Sequence, residues 1–77
     1  MTNVYDALRA VTVDEKGRYL FKDMLWLIVN SWLAGAGRPP VTMGACLNAV
    51  ERAGYTVEGN RVLNISTPWW RRAATTN

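Results

Sequence analysis

Two adjacent prolines, Pro39 and Pro40 in the stretch GRPP, constrain this chain more than any other feature. Neither can continue a helix, and each turns the residue before it away from helical backbone, so one element must end there and another begin. In front of them, KDMLWLIVNSWLAGAG reads as a long helix. Asp23 sits where a carboxylate suits the positive end of the helix dipole, Leu25, Ile28, Val29 and Trp32 share one face, and Met24, Trp26, Leu27 and Leu33 wrap round the others. Gly35 and Gly37 supply its end, so GAGR is a C-cap; a phosphate loop would follow a strand and be succeeded by a Lys-Ser/Thr pair. Behind the prolines, VTMGACLNAVERAGY supplies a second helix, with Thr42 as N-cap, Met43, Cys46, Leu47 and Val50 as its inward stripe and Gly54 as its terminator.

The segment YTVEGNRVLNI that follows is two β-favouring runs around Gly59-Asn60, a dipeptide suited to a tight hairpin turn. With those residues at the turn, Glu58 lies across from Arg61 and Val57 across from Val62. At the other end of the chain, Asn3 caps a short helix with Val4, Tyr5, Leu8 and Val11 at helical spacing, VDEKGR interrupts it, and RYLF is a strand of about three or four residues. A lone hairpin is marginal, so RYLF joins it and the helices cover the apolar face of the sheet. This order predicts an α+β fold, a winged helix-turn-helix with three helices, a small antiparallel sheet and the C-terminal β-hairpin as wing. Residues 1–70 form the single domain and residues 71–77 a basic and polar tail. The competing expectation is a small α+β domain with an isolated hairpin.

The stretch from Lys22 to Ile65 resembles the winged-helix module at the C-terminal end of phage and plasmid primase-helicases. Trp32, Gly37, Pro39, Gly54 and Tyr55 occupy the places where that family has a tryptophan late in one helix, a Gly and Pro turn, and a Gly-aromatic pair before the wing. The chain has no ATPase or primase module, so the resemblance implies a fold and a nucleic-acid surface, as in a small phage or mobile-element regulator, and no enzymatic role.

Charge is unevenly placed. The net charge is +3, yet the acidic and basic side chains of residues 1–51 balance, and the excess comes from Arg52, Arg61, Arg71 and Arg72 against Glu58 alone. Such asymmetry points to an anionic partner or to an ordinary solvated end. In a winged helix the second helix of the pair reads base edges while flanking cations hold phosphates. Its outward set here is Gly44, Ala45, Asn48, Ala49, Glu51 and Arg52. Thr42, Asn48 and Arg52 are the expected contacts on that helix, with Arg38, Arg61, Arg71 and Arg72 as phosphate contacts; Asn48 and Arg52 are equally natural as solvated helix residues. A monomer with so few phosphate contacts binds modestly, so a homodimer would help.

The small, nearly uncharged surface of Gly44 and Ala45, together with Trp69 and Trp70 beside the terminal arginines, supports a second class of function, an inhibitor or adaptor that binds a host protein. At least one of those tryptophans is otherwise expected to pack back on the domain. Trp26 and Leu33, on one side of the long helix, are core or a homodimer seam. Catalysis finds little support: there is no His, Cys46 lies on the inward stripe, and Asp14 and Glu15 fall in a charged turn with no apolar pocket. No cofactor, metal or disulfide is expected from one cysteine and no histidine, and no membrane partner from apolar runs this short. With 49% apolar and 19% charged residues the chain folds, in a cytoplasmic setting.

Overall fold

Asn3 starts the first helix, α1 (Val4–Val11), by a reciprocal cap. Its side-chain oxygen accepts the N–H groups of Tyr5 and Asp6 at 2.9 and 3.2 Å, and the Asp6 carboxylate accepts the Asn3 N–H at 3.0 Å. The computed structural model describes residues 3–67, so the tail expected at residues 71–77 lies outside them. The core face of α1 is Ala7, Leu8 and Val11, with Val4 packed at its edge. Tyr5, expected on that stripe, is exposed, because positions 4, 7, 8 and 11 already complete one helical face and position 5 is a further 100° or so round. At Thr12 both the backbone N–H and the hydroxyl donate to the Leu8 carbonyl, and the chain turns to extended backbone.

That extended segment is longer than the RYLF stretch alone. Strand β1 (Val13–Phe21) runs through the charged VDEKGR residues that were expected to interrupt the chain. It pairs antiparallel with β3 (Arg61–Ser66) in two blocks, Val13 and Asp14 with Ser66 and Ile65, then Tyr19 to Phe21 with Leu63 to Arg61. Between the blocks β1 advances from 14 to 19 while β3 moves only from 65 to 63. The surplus residues form a bulge. Asn64, at φ 60°, turns its side-chain oxygen to accept the Gly17 N–H at 3.1 Å. An asparagine tolerates this left-handed conformation, and it resets the alternation of β3 so that Val62 and Ile65 both face inward.

The long helix, α2 (Lys22–Gly35), follows β1 without a loop, and the Lys22 N–H donates to the Asn60 carbonyl at 2.9 Å, fastening the hairpin tip to the start of the helix. Leu25, Val29 and Leu33 are buried, and Trp26, Ile28 and Trp32 pack half-buried round them. Leu33 is therefore a core residue, and Trp26 packs half-buried against that core. The end of α2 and that of α3 (Met43–Arg52) have the same geometry. Gly37 and Gly54 stand at φ 74° and 102°, and the next residue in each case, Arg38 or Tyr55, donates back to Leu33 or Val50. Each glycine thus adopts the left-handed conformation that lets the last carbonyls be satisfied.

Between these helices the turn is clamped by side chains. Asn30 donates to the Val41 carbonyl at 3.2 Å and accepts the Val41 N–H at 2.9 Å, while the Trp26 indole donates to the same carbonyl at 2.8 Å. Thr42 then caps α3, its hydroxyl oxygen accepting the Ala45 N–H. The buried face of α3 is Cys46, Ala49 and Val50, with Leu47 packed at its edge. Ala49 was expected to face outward; its small side chain instead lets α3 approach the core closely, and the stripe is rotated toward it. Strand β2 (Val57–Glu58) pairs with β3 in the expected register, Val57 to Val62 and Glu58 to Arg61. The described residues thus form an α+β fold of three helices and a three-stranded antiparallel sheet in the order β1-β3-β2.

Because the Asn30 amide engages both backbone groups of half-buried Val41, Asn30→Ala strands the Val41 N–H and leaves the carbonyl to the Trp26 indole alone. The expected loss is about 1–3 kcal/mol of stability, read by urea unfolding followed through tryptophan fluorescence. A variant as stable as the parent would mean that the turn is held by other contacts.

Candidate nucleic-acid interface

The expected contact residues divide by what already engages them. Gly44, Ala45 and Asn48 are exposed on α3, and Arg52 is exposed in its last turn beside Glu51. Thr42 is exposed too, but its hydroxyl is committed to the cap, so its first role is to start α3 rather than to reach outward. Ala49, being buried, cannot belong to a contact surface. Trp69, Trp70, Arg71 and Arg72 lie outside the described residues.

The arginines divide in the same way. Arg9 pairs with Asp6 at 3.9 Å and Arg18 with Glu15 at 3.2 Å, so these cations are locally neutralised. Among the described residues no carboxylate pairs with Arg38, Arg52 or Arg61. Arg38 is exposed just past the end of α2, Arg52 ends α3, and Arg61 begins β3 beside the hairpin turn.

Arg61 has a partner of another kind. Its guanidinium lies over the Tyr19 ring, 4.7 Å from the centroid, and Tyr19 meets Phe21 edge to face at 5.4 Å. Tyr19 and Phe21 are about half exposed, at 45% and 46%. Phe21 is the cross-strand neighbour of Arg61, so the aromatic pair and the cation share the outer face of the sheet. Lys22, fastened to the hairpin tip, adjoins them. Sequence reasoning passed over this group. The alternation in RYLF does place Tyr19 and Phe21 on one face with Leu20 on the other, which was the available signal.

A second polar feature lies where α3 leaves the helical layer. The Tyr55 hydroxyl donates to the Asp14 carboxylate, between open clefts of about 490 and 410 Å³. Partial burial, with the Asp14 charge and hydrogen bond behind it, pushes the Tyr55 hydroxyl up to about 12. Asp14, expected in a charged turn, instead ties β1 to the exit of α3. Cys46 is buried, which raises its thiol above the usual range and leaves it unreactive. Among the described residues no His, Cys, Asp and Glu cluster is placed to hold a metal ion, and no helix is long and apolar enough to cross a membrane.

No protein-family profile, curated protein or solved structure matches this chain.

The Tyr55 tie predicts a pH dependence. The folded state holds the phenolic proton up to about 12 against an ordinary value of 10.0, so the stabilisation is complete below pH 10 and is lost as pH rises toward 12. Followed by tyrosinate absorbance, Tyr55 should ionise in a late phase near pH 12, and Tyr55→Phe should remove that phase. Its presence in Tyr55→Phe would assign it elsewhere.

Proposed function

We propose that this chain is a winged helix-turn-helix module that binds duplex DNA through α3 and the β2-β3 hairpin. What supports the fold assignment is the element order α1-β1-α2-α3-β2-β3, two helices joined by a clamped turn, and a hairpin whose second strand is central in the sheet. The likeness of Lys22 to Ile65 to the winged-helix module of phage and plasmid primase-helicases points the same way, toward a regulator carried by a phage or mobile element.

The single observation that carries the proposal is that two exposed arginines, Arg52 at the end of α3 and Arg61 at the base of the hairpin, are neutralised by no carboxylate among the described residues. An α-helix of this length, about 15 Å, enters the major groove. Gly44 and Ala45 present almost no side chain at its start and let the backbone come close to the DNA, while Asn48, one turn on, reaches an adenine edge. Arg52 and Arg61 then hold phosphates on either side. Stacking on Tyr19 fixes the Arg61 guanidinium before the DNA arrives, which reduces the ordering cost of binding.

The test is fluorescence anisotropy of a labelled duplex of mixed sequence titrated with the full chain at several salt concentrations. Affinity should fall steeply with salt, and the double variant Arg52→Ala/Arg61→Ala should bind more weakly with a salt slope shallower by about two. Both side chains are exposed, so circular dichroism should be unchanged. Binding that is insensitive to salt and to both substitutions defeats the proposal.

A further inference from the structure

The outer face of α2 is apolar where a surface helix is normally charged. Met24 and Leu27 are 52% and 60% exposed, and Leu27 borders an open groove of about 410 Å³ completed by Ile28, Ser31 and Trp32. The buried stripe of the helix, Leu25, Val29 and Leu33, is elsewhere, so this face is surplus to the core. From Met24 to Gly37 there is no ionisable side chain at all. A helix whose outer face carries no charge over this length is unlike an ordinary solvated helix, and a patch of this kind on a small protein marks an interface.

Three features of the face identify its occupant. Its two ends are unlike in size: Met24, Leu27 and Ile28 are bulky, whereas Ser31, Ala34 and Gly35 are small, and the space where a side chain on Gly35 would stand is open. Its two ends are also unlike in charge, for exposed Asp23 stands at the start and exposed Arg38 just beyond the end, and neither is ion-paired among the described residues. Between the ends nothing is charged, so a highly charged partner gains nothing there. A face that is large and negative at one end, small and positive at the other, is complementary to itself turned end for end.

We infer that the chain forms a two-fold homodimer in which α2 packs antiparallel against α2 of a second copy. With the axis beside Ser31, Leu27 of each copy seats on Ala34 of the other, Met24 lies over Gly37, and Asp23 meets Arg38 across both rims. Small residues at the crossing let the backbones approach, and the interface is isologous, as a closed pair requires. Arg38, which has no carboxylate within its own chain's described residues, is thereby a dimer residue. The inference stands apart from DNA binding, since Arg52 and Arg61 belong to α3 and β3.

Sedimentation velocity of the full chain across a concentration series tests it. The parent should pass from monomer to dimer as concentration rises. Leu27→Glu, at an exposed site where the monomer fold tolerates a charge, should weaken association about a hundredfold or more by burying that charge. Asp23→Arg and Arg38→Asp alone should each weaken it about fivefold, and the two together should restore it, because the pair is re-formed with reversed sign. A parent that stays monomeric up to about 1 mM overturns the inference and leaves the face to a different protein. So does a dimer indifferent to Leu27→Glu, or a charge-swapped double variant that associates no better than the singles.

Discussion

The position of α3 depends on how Val41 is held. Its backbone N–H and carbonyl are both engaged by Asn30, and the Trp26 indole adds a second bond to the carbonyl. One side-chain amide here does what a neighbouring strand would do, and it does so from the middle of α2. The turn containing Pro39 and Pro40 has few backbone donors of its own to spend, so the fixed point has to come from side chains. Once Val41 is anchored, Thr42 is placed to cap, and the direction of α3 follows. Trp26 and Asn30 are four residues apart and so lie on the same side of α2, beside the half-buried seam rather than in the centre of the core.

The sheet is fixed to this helical pair at two separate places. Lys22 joins the hairpin tip to the start of α2 through Asn60, and Tyr55 joins the exit of α3 to β1 through Asp14. Strand β3 lies between, carrying Val62 and Ile65 into the core, so that the inner face of the sheet and the stripes of the three helices meet in one apolar cluster. The side chains at its centre are mostly of medium size, Leu25, Leu33, Val29, Val50 and Ile65, with the bulky Trp26 and Trp32 only half-buried around them. A domain this small has little interior, and large rings serve it better as walls than as filling.

Much of this was legible in the chain because it is decided locally. Gly59-Asn60 permits one hairpin register, and that register is the one found. Gly37 and Gly54 end their helices by a conformation that needs no distant partner. What was not legible depends on residues far apart. The bulge in β1 looks like a turn in VDEKGR, and only Asn64, 47 positions away, shows that the strand continues through it. The Asn30 and Val41 bond spans 11 residues and has no periodicity to betray it. Ala49 was misplaced because an alanine sits equally well on either side of a stripe, and the distance to the core decides the matter. At the candidate site, Arg61 was visible as a cation beside a turn. Its meeting with Tyr19 was not, because it requires the register of β1 against β3 beyond the bulge.

The way Arg61 is held bears on what it can do. Glu58 lies directly across the hairpin from it and could have supplied an ion pair. Such a pair on an exposed ribbon is worth between about 0 and 1 kcal/mol, and stacking a guanidinium on an exposed ring about 0.5–1, so stability hardly distinguishes the two arrangements. Their electrostatic consequences differ greatly. An ion pair would restrain the side chain and cancel its charge, whereas the Tyr19 ring restrains it and leaves the charge facing solvent. The arginines of the N-terminal part follow the other course, since Arg9 and Arg18 each lie three residues from a carboxylate that neutralises them. Arg61 is therefore held in place with its charge still facing solvent, at almost no cost in stability, and that is the state in which a cation attracts an anion.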